Sequence, residues 1–382
     1  MVQYKTNFNQ YIQPNIQKKL KRKNVMVLNI HADMYFNRTT EILEKDMNNS
    51  VVTMQIFPRR DGMLCGVDFV KKAFSEEFQT SVQQGKSCNN GKITIKSLHD
   101  GDFVKENETV ITIEGKYADF SQIETGVLGI LARASSIATN VNKICEIAKW
   151  KDIILMSARF DYFGNQIIDG YAAYIGGCRK FATMANCRLP NLYFQVNLEP
   201  VGTMPHALIA AYEGNTVKAA LAFDNYIDKN VSRIVLVDFE NDCVKTSLEV
   251  AKALGNKLYG VRLDTSKGMV DESIRRHFKD GELGLSEKYL IDNFSGVCPL
   301  LVENVRKALD KEGFGHVKIY VSGGFNYEKV KYFVENNVPF DGIGIGSSIY
   351  NNRIDFTADI VMVNGKPCAK VGRSHKPNNR LK

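Results

Sequence analysis

Residues 317–348 read VKIYVSGGFNYEKVKYFVENNVPFDGIGIGSS. The stretch opens on an apolar, partly β-branched run, Val317 to Val321, that stops at Ser322-Gly323-Gly324. Helical spacing follows over Asn326 to Asn336, with Val330, Phe333 and Val334 on one face and Asn326 placed to cap it. A second apolar run, Gly342 to Ile345, stops at Gly346-Ser347-Ser348. Strand, helix and strand in that order make a β-α-β unit of a parallel sheet.

The same pattern runs back to about residue 152. Apolar runs stand at Ile153 to Met156, Leu192 to Val196, Ile234 to Val237 and Lys257 to Val261. A helix is predicted over Val244 to Leu254, with Val244, Leu248 and Ala251 on one face and Gly255 as its stop. Nearly continuous apolar strands predict a sheet covered on both faces. Further upstream, Val25 to Ile30, Val51 to Phe57, Ile93 with Ile95, and Val110 to Ile113 flank a turn at His99-Asp100-Gly101. These predict a small α/β or β-sandwich domain, joined to the repeats by helices over Ile123 to Trp150. The last ~30 residues read as polar and irregular, and either return to the first domain or stay mobile.

Polar and glycine residues gather where these strands end. Ile153 to Met156 leads to Ser157-Ala158-Arg159, Ile234 to Val237 ends at Asp238, and Tyr259 to Val261 leads to Arg262-Leu263-Asp264-Thr265. In parallel barrels and open α/β sheets this carboxyl edge builds active sites. Ser322-Gly323-Gly324 and Gly342-x-Gly344-x-Gly346-Ser347 resemble phosphate cradles, since glycine lets backbone N–H groups approach an anion. A tight turn explains either loop alone; two in succession favour phosphate. Asp238 and Asp264 could hold ribose hydroxyls, or Mg²⁺ through water beside a phosphate ligand. Each alone is more often a helix cap. His206 stands where a helix should begin, in Gly202-Thr203-Met204-Pro205-His206, and an anionic adduct on it would gain from that helix terminus. Arg159 could take a carboxylate bidentately, against a structural salt bridge as the plain alternative.

The 382 residues are 44% hydrophobic and 24% charged, as in folded globular chains. No apolar run reaches the ~18 residues of a membrane span, and residues 1–13 lack the apolar core of a secretory signal. The eight cysteines are scattered without C-x-x-C spacing, which predicts reduced thiols in a cytoplasmic protein rather than a zinc site. Part of the net charge of +8 sits in Lys18 to Lys23 and Lys370 to Lys382. Lacking interleaved aromatics, these runs predict solvated surface or attraction of small polyanions, with no nucleic-acid or membrane partner.

Several motifs together resemble the nicotinate phosphoribosyltransferase family, in its compact archaeal-type branch. They are His31-Ala32-Asp33-Met34-Tyr35-Phe36-Asn37-Arg38-Thr39, Tyr117-Ala118-Asp119-Phe120 with Glu124-Thr125, Tyr174-Ile175-Gly176-Gly177, and Val201 to Leu208. Arg262 to Thr265, Val321 to Gly324, Asp355-Phe356 and Val363 to Pro367 continue the series in order. The resemblance implies a type II phosphoribosyltransferase: an α/β protein with an N-terminal α/β sandwich domain and an incomplete β/α barrel. Applied here, the sandwich would take residues 1–122, with 352–382 a candidate to complete it, and the barrel 123–351. It implies a homodimer or higher homo-oligomer with shared sites, and NAD biosynthesis or salvage. The implied reaction joins nicotinate and phosphoribosyl pyrophosphate to give nicotinate mononucleotide and pyrophosphate, with ATP hydrolysis coupled and Mg²⁺ as cofactor.

Residue by residue, the resemblance implies that Tyr35 stacks on the pyridine ring from the neighbouring subunit. Arg159, Thr203 and Arg262 contact nicotinate. His206 is phosphorylated by ATP. Asp238 and Asp264 face the ribose and the Mg²⁺-pyrophosphate, with no metal site from protein alone. Arg38, Ser322, Gly323, Gly324, Gly346 and Ser347 bind phosphate. Amide-using relatives carry an acid where this chain has Met204, which favours a carboxylate substrate. Where the branch reads Arg-Arg, this chain has Arg159-Phe160; the cysteine-rich zinc tail of some relatives is absent, and the first ~27 residues have no counterpart. The alternatives are a phosphoribosyltransferase for nicotinamide or another pyridine, and a non-enzymatic nicotinate sensor. A Schiff-base barrel lyase would want a strand-end lysine, and a type I phosphoribosyltransferase an adjacent acidic pair that Val237-Asp238-Phe239-Glu240 lacks.

Overall fold

The computed structural model describes residues 31–74, 93–149, 151–202, 204–279 and 285–382. The expected run Val25 to Ile30 lies outside them. In chain order the elements begin with α1 (Met34–Lys45), β1 (Val51–Pro58), β2 (Gly62–Met63), β3 (Thr94–Ser97), β4 (Phe103–Val104), β5 (Ile111–Lys116) and α2 (Glu124–Ala148). Then come β6 (Asp152–Leu155), α3 (Gln166–Ile175), β7 (Lys180–Phe181), α4 (Met184–Phe194), α5 (His206–Ala211), α6 (Thr216–Tyr226), β8 (Arg233–Leu236) and α7 (Cys243–Leu254). The chain continues with β9 (Leu258–Leu263), α8 (Glu272–Lys279), α9 (Glu287–Phe294), α10 (Pro299–Lys311), β10 (Lys318–Val321), α11 (Tyr327–Glu335), β11 (Gly342–Ile345), β12 (Phe356–Val363) and β13 (Lys366–Pro367). One unit takes the chain through Ser135 together with Ile354–Lys382; the other is Ser136–Arg353. The division thus falls inside α2, where the sequence reading set it at 122/123.

In the first unit an antiparallel sheet runs β13-β12-β1-β5-β3. β1 lies inside it, pairing Ile56 with Ala358 on one side and Ile111 on the other. β5 alternates buried and less buried positions, as a strand with one covered face must. Met54, Ile56, Leu64, Ile111, Ile113, Val127 and Leu131 form the core with Ile354 and Phe356. Full burial of a side chain such as Ile56 contributes about 1.5–3 kcal/mol. The C-terminal residues do return to this unit: β12 is an eight-residue strand within its sheet, while residues 368–382 carry no helix or strand. The chain beyond it is tied down as well. The Gln55 amide donates to the Ser374 carbonyl and accepts from the Lys376 N–H, each at 3.0 Å, and Ser97 and Lys382 exchange backbone bonds.

In the second unit six parallel strands run β7-β6-β11-β10-β9-β8. β7 and β8 are the free edges, so the curled sheet is an open half-barrel. β8 and β11 are buried at every position, which matches their unbroken apolar runs. Leu192 to Val196 is not a strand. Residues up to Phe194 belong to α4, whose start is capped by the Thr183 hydroxyl accepting from the Asn186 N–H. Phe194 stacks on Tyr171 and Tyr174 of α3, at 5.7 and 4.7 Å between ring centroids, and that contact fixes the segment as helix. The strand of this repeat is the earlier β7. On α7 the buried face is Cys243, Thr246, Ser247, Val250, Ala251 and Leu254. Val244 and Leu248 are only half-buried, so the helix is rotated from the face expected. Among the described residues no helix is long and apolar enough to cross a membrane.

Candidate active site

The strand ends carry the ladder one residue further than the strands themselves. The Val237 N–H donates to the Arg262 carbonyl, Ser322 N–H to Leu263, Met156 N–H to Ile345, and Ala182 N–H to Leu155. Asp238, Arg262, Asp264, Ser322, Gly323, Gly324, Gly346, Ser347 and Arg159 therefore follow neighbouring strands at one carboxyl edge. That edge of an open parallel sheet is where ligands bind.

His206 joins this row through Asp238. Its Nε2 lies 3.0 Å from both carboxylate oxygens of Asp238. Asp238 is 7% exposed at its side chain and His206 42%. Burial pushes the Asp238 carboxyl up from its ordinary range; the His206 interaction opposes this and the Asp264 charge adds to it. In the tautomer that gives Nε2–H to Asp238, the Nδ1 lone pair points away from that carboxylate's hydrogen bond and is left to accept. The helix that His206 begins, α5, has only six residues, so the expected support from a helix terminus is weak.

Arg262 is half-buried, and its Nη2 stands 3.8 Å from Asp264 Oδ2. Burial pulls its pKa down, Asp264 and Asp238 oppose this, and the Arg159 charge adds to it. These four groups thus share one electrostatic field. Neither aspartate caps a helix: that work on α7 falls to Asp242, which accepts from the Lys245 N–H. Arg159 sits exposed in a single helical turn after β6, its guanidinium 5.6 Å from the centre of the Phe160 ring.

Gly323 and Gly324 have φ of +89° and +70°, a left-handed pair that turns successive N–H groups outward. Ser322 Oγ donates to Asp264 Oδ1 at 2.8 Å, linking this turn to β9. Lys329, which the sequence reading passed over, reaches back from α11 to donate to the Gly323 carbonyl at 3.4 Å. Gly342 and Gly344 do not belong to the cradle. They lie inside β11, where a Cβ would meet the Tyr320 ring or, at 2.8 Å, the Met156 sulfur. Gly346 is the glycine at the loop, and a Cβ there would lie 2.6 Å from the Phe160 ring.

Tyr35 and Arg38 are on α1 of the first unit, both exposed. The Tyr35 hydroxyl donates to Asp33 at 3.1 Å, and the Thr125 hydroxyl donates to the same carboxylate at 3.0 Å. Glu124 stands beside them at the start of α2. Burial, then Asp359 and Asp33, push its carboxyl up to about 7. Thr203 lies outside the described residues.

A half-barrel with a histidine-carboxylate pair and two glycine turns along one strand edge is the build of a phosphate-handling α/β protein. Residues 33–135 match the family model described as quinolinate phosphoribosyl transferase, N-terminal domain, and residues 137–359 match the C-terminal domain of the same description. The chain belongs to this family of type II phosphoribosyltransferases. A solved structure of nicotinate-nucleotide pyrophosphorylase from Pyrococcus furiosus is 33% identical, with a TM-score of 0.73 over 91% of this chain and 79% of that one. Human nicotinic acid phosphoribosyltransferase shares the fold at 15% identity and a TM-score of 0.66, over 90% of this chain and 77% of that one. Nicotinate phosphoribosyltransferase of Bacillus subtilis (strain 168) is 24% identical over 259 residues, 66% of this chain and 45% of that protein. The chain spans about half the length of the curated relatives it matches.

Proposed function

We propose that this protein transfers the phosphoribosyl group of phosphoribosyl pyrophosphate to nicotinate, giving nicotinate mononucleotide and pyrophosphate, and that ATP drives the transfer through His206. The observation that carries this reading is the His206–Asp238 pair. A carboxylate that holds Nε2–H leaves Nδ1 free to attack the terminal phosphoryl of ATP. An N–P bond forms, the bridging P–O bond breaks, and ADP leaves; after transfer, water cleaves the N–P bond, inorganic phosphate leaves and the His206 ring is restored. Transfer itself breaks the ribose C1–O bond as the pyridine nitrogen closes on C1. The arginines hold the carboxylate and keep the ring nitrogen in line. Asp264, steadied by the Ser322 hydroxyl, would meet the ribose, and the two glycine turns would take the 5′-phosphate. Tyr35 and Arg38, supplied by a neighbouring copy of the chain, are proposed for ring stacking and for phosphate, and Thr203 for base contact.

Asp238 and Asp264 fit a magnesium ion, because each raises the cost of the other's negative charge and a dication relieves it. Among the described residues no three metal-binding side chains converge, so pyrophosphate would supply the remaining ligands. The ion would stabilise charge on the leaving pyrophosphate.

A second reading has specific support. The family models and the Pyrococcus furiosus structure carry quinolinate or nucleotide-pyrophosphorylase descriptions. Quinolinate, a 2,3-dicarboxylate, would give the same mononucleotide with loss of CO₂ and would leave His206 without a phosphoryl role. The test offers nicotinate, quinolinate and nicotinamide to the purified chain with phosphoribosyl pyrophosphate and Mg²⁺, with and without ATP. Pyrophosphate, ADP and CO₂ are measured. Nicotinate turnover raised by ATP supports the proposal. CO₂ from quinolinate, indifferent to ATP, replaces it with the second reading.

A further inference from the structure

The loop after β11 is weakly bonded within itself. Residues 347–350 make one short helical turn whose closing backbone bonds are long, Ile349 N–H to Gly346 at 3.4 Å and Asn351 N–H to Ser348 at 3.3 Å. It is fastened from two helices instead. Asn140 of α2, 7% exposed, donates its amide to the Ile349 carbonyl at 3.0 Å and also to the Asn351 carbonyl. The Tyr350 hydroxyl donates at 2.9 Å to Asp169 of α3, which is 1% exposed. Buried amides and carboxylates are costly unless hydrogen-bonded. An apolar pair would fill the same space without needing any loop geometry. What the polar pair adds is a fixed height and pitch for the backbone that starts at Gly346.

We propose that Asn140 and the Asp169–Tyr350 pair are positioning residues for the 5′-phosphate. They would hold the N–H groups of Gly346 and Ser347 at the distance a phosphate oxygen needs. They touch neither substrate nor any reacting atom. The inference rests on the phosphoribosyl reading above and extends it to the support beneath the loop. The first glycine turn has its own ties, to Asp264 and Lys329, so the two loops are held independently.

Two variants test it in the full chain. Asn140→Asp keeps the volume but turns an acceptor toward two carbonyls, and Tyr350→Phe deletes only the hydroxyl. Each should raise KM for phosphoribosyl pyrophosphate by about three- to tenfold, with kcat and the KM for the base unchanged. Ribose 5-phosphate affinity, measured by calorimetry without turnover, should fall by the same factor. If Asn140→Asp does not fold, Tyr350→Phe alone decides. Unaltered ribose 5-phosphate affinity in Tyr350→Phe overturns the proposal, and so does an equal loss in kcat and in KM for the base. Absence of turnover by the unaltered protein on every pyridine base would instead remove the functional reading, while the calorimetry still decides the support.

Discussion

Replacing Asp238 by Asn separates catalysis from stability. The substitution exchanges one oxygen for an amide and leaves the volume alone. The Asn Oδ1 can still accept from His206 Nε2, so what is lost is the charge of a carboxylate whose two oxygens both stand at 3.0 Å. A charge-assisted bond exceeds a neutral one by about 1–1.5 kcal/mol, which corresponds to a ~5–10-fold drop in the rate of His206 phosphorylation. Stability should move the other way. The folded pKa of Asp238 lies above its unfolded value. Its charge therefore weighs against folding at pH 7, and the weight lifts as pH falls and the carboxyl takes up a proton. A neutral amide removes that weight, so the thermal midpoint at pH 7 should hold or rise. Radiolabelled ATP, quenched on the protein and counted, reads the first effect; a melting curve reads the second. Undiminished labelling would sink the pairing argument, and a large loss of stability would show that the carboxylate is a structural post.

Gly346→Ala should raise KM for phosphoribosyl pyrophosphate, since its Cβ would fall 2.6 Å from the Phe160 ring and push the loop away from it. Adding Phe160→Ala should restore it, and steady-state kinetics on both proteins checks this. Glu124, with its folded pKa pushed up to about 7 from 4.5, should cost stability as pH rises through that window. The loss should be about 1–3 kcal/mol in urea unfolding between pH 5 and 8, and Glu124→Gln should flatten it. Burial lowers the Lys329 pKa, so the protein should gain stability as pH climbs toward 10.5, and Lys329→Met should lack that gain while weakening phosphoribosyl pyrophosphate binding.

The stretch from Val317 to Ser348 was legible because every local signal agreed. Asn326 does cap its helix, accepting from the Lys329 N–H at 2.9 Å, and Val330 and Phe333 are buried. Leu192 to Val196 misled because its β-favouring residues are held as helix by α3, a tertiary contact with no local sign. α4 also carries Pro190 in its interior, a residue that ordinarily breaks a helix. The G-x-G-x-G pattern merged two roles: close packing beneath Tyr320 and Met156, and a turn at Gly346. The strand-edge row of Asp238, Arg262, Asp264 and Ser322 could be read from where each run stops. The histidine-aspartate pairing could not, since its partners are 32 residues apart with no periodicity between them. Nor could the supports Asn140, Asp169 and Lys329, which are ordinary helix residues until the loops above them are known.

The sheet of the first unit has a consequence for synthesis. β1 emerges early from the ribosome, but its partner β12 is completed only at Val363. Until then one side of β1 offers unpaired N–H and C=O groups, an invitation to other chains. The half-barrel, finished by Ile345, has every strand it needs before that gap can close. A chain cut after Asn351 would thus hold every strand of the half-barrel while one side of β1 stayed unpaired, and it should aggregate more readily than the full chain.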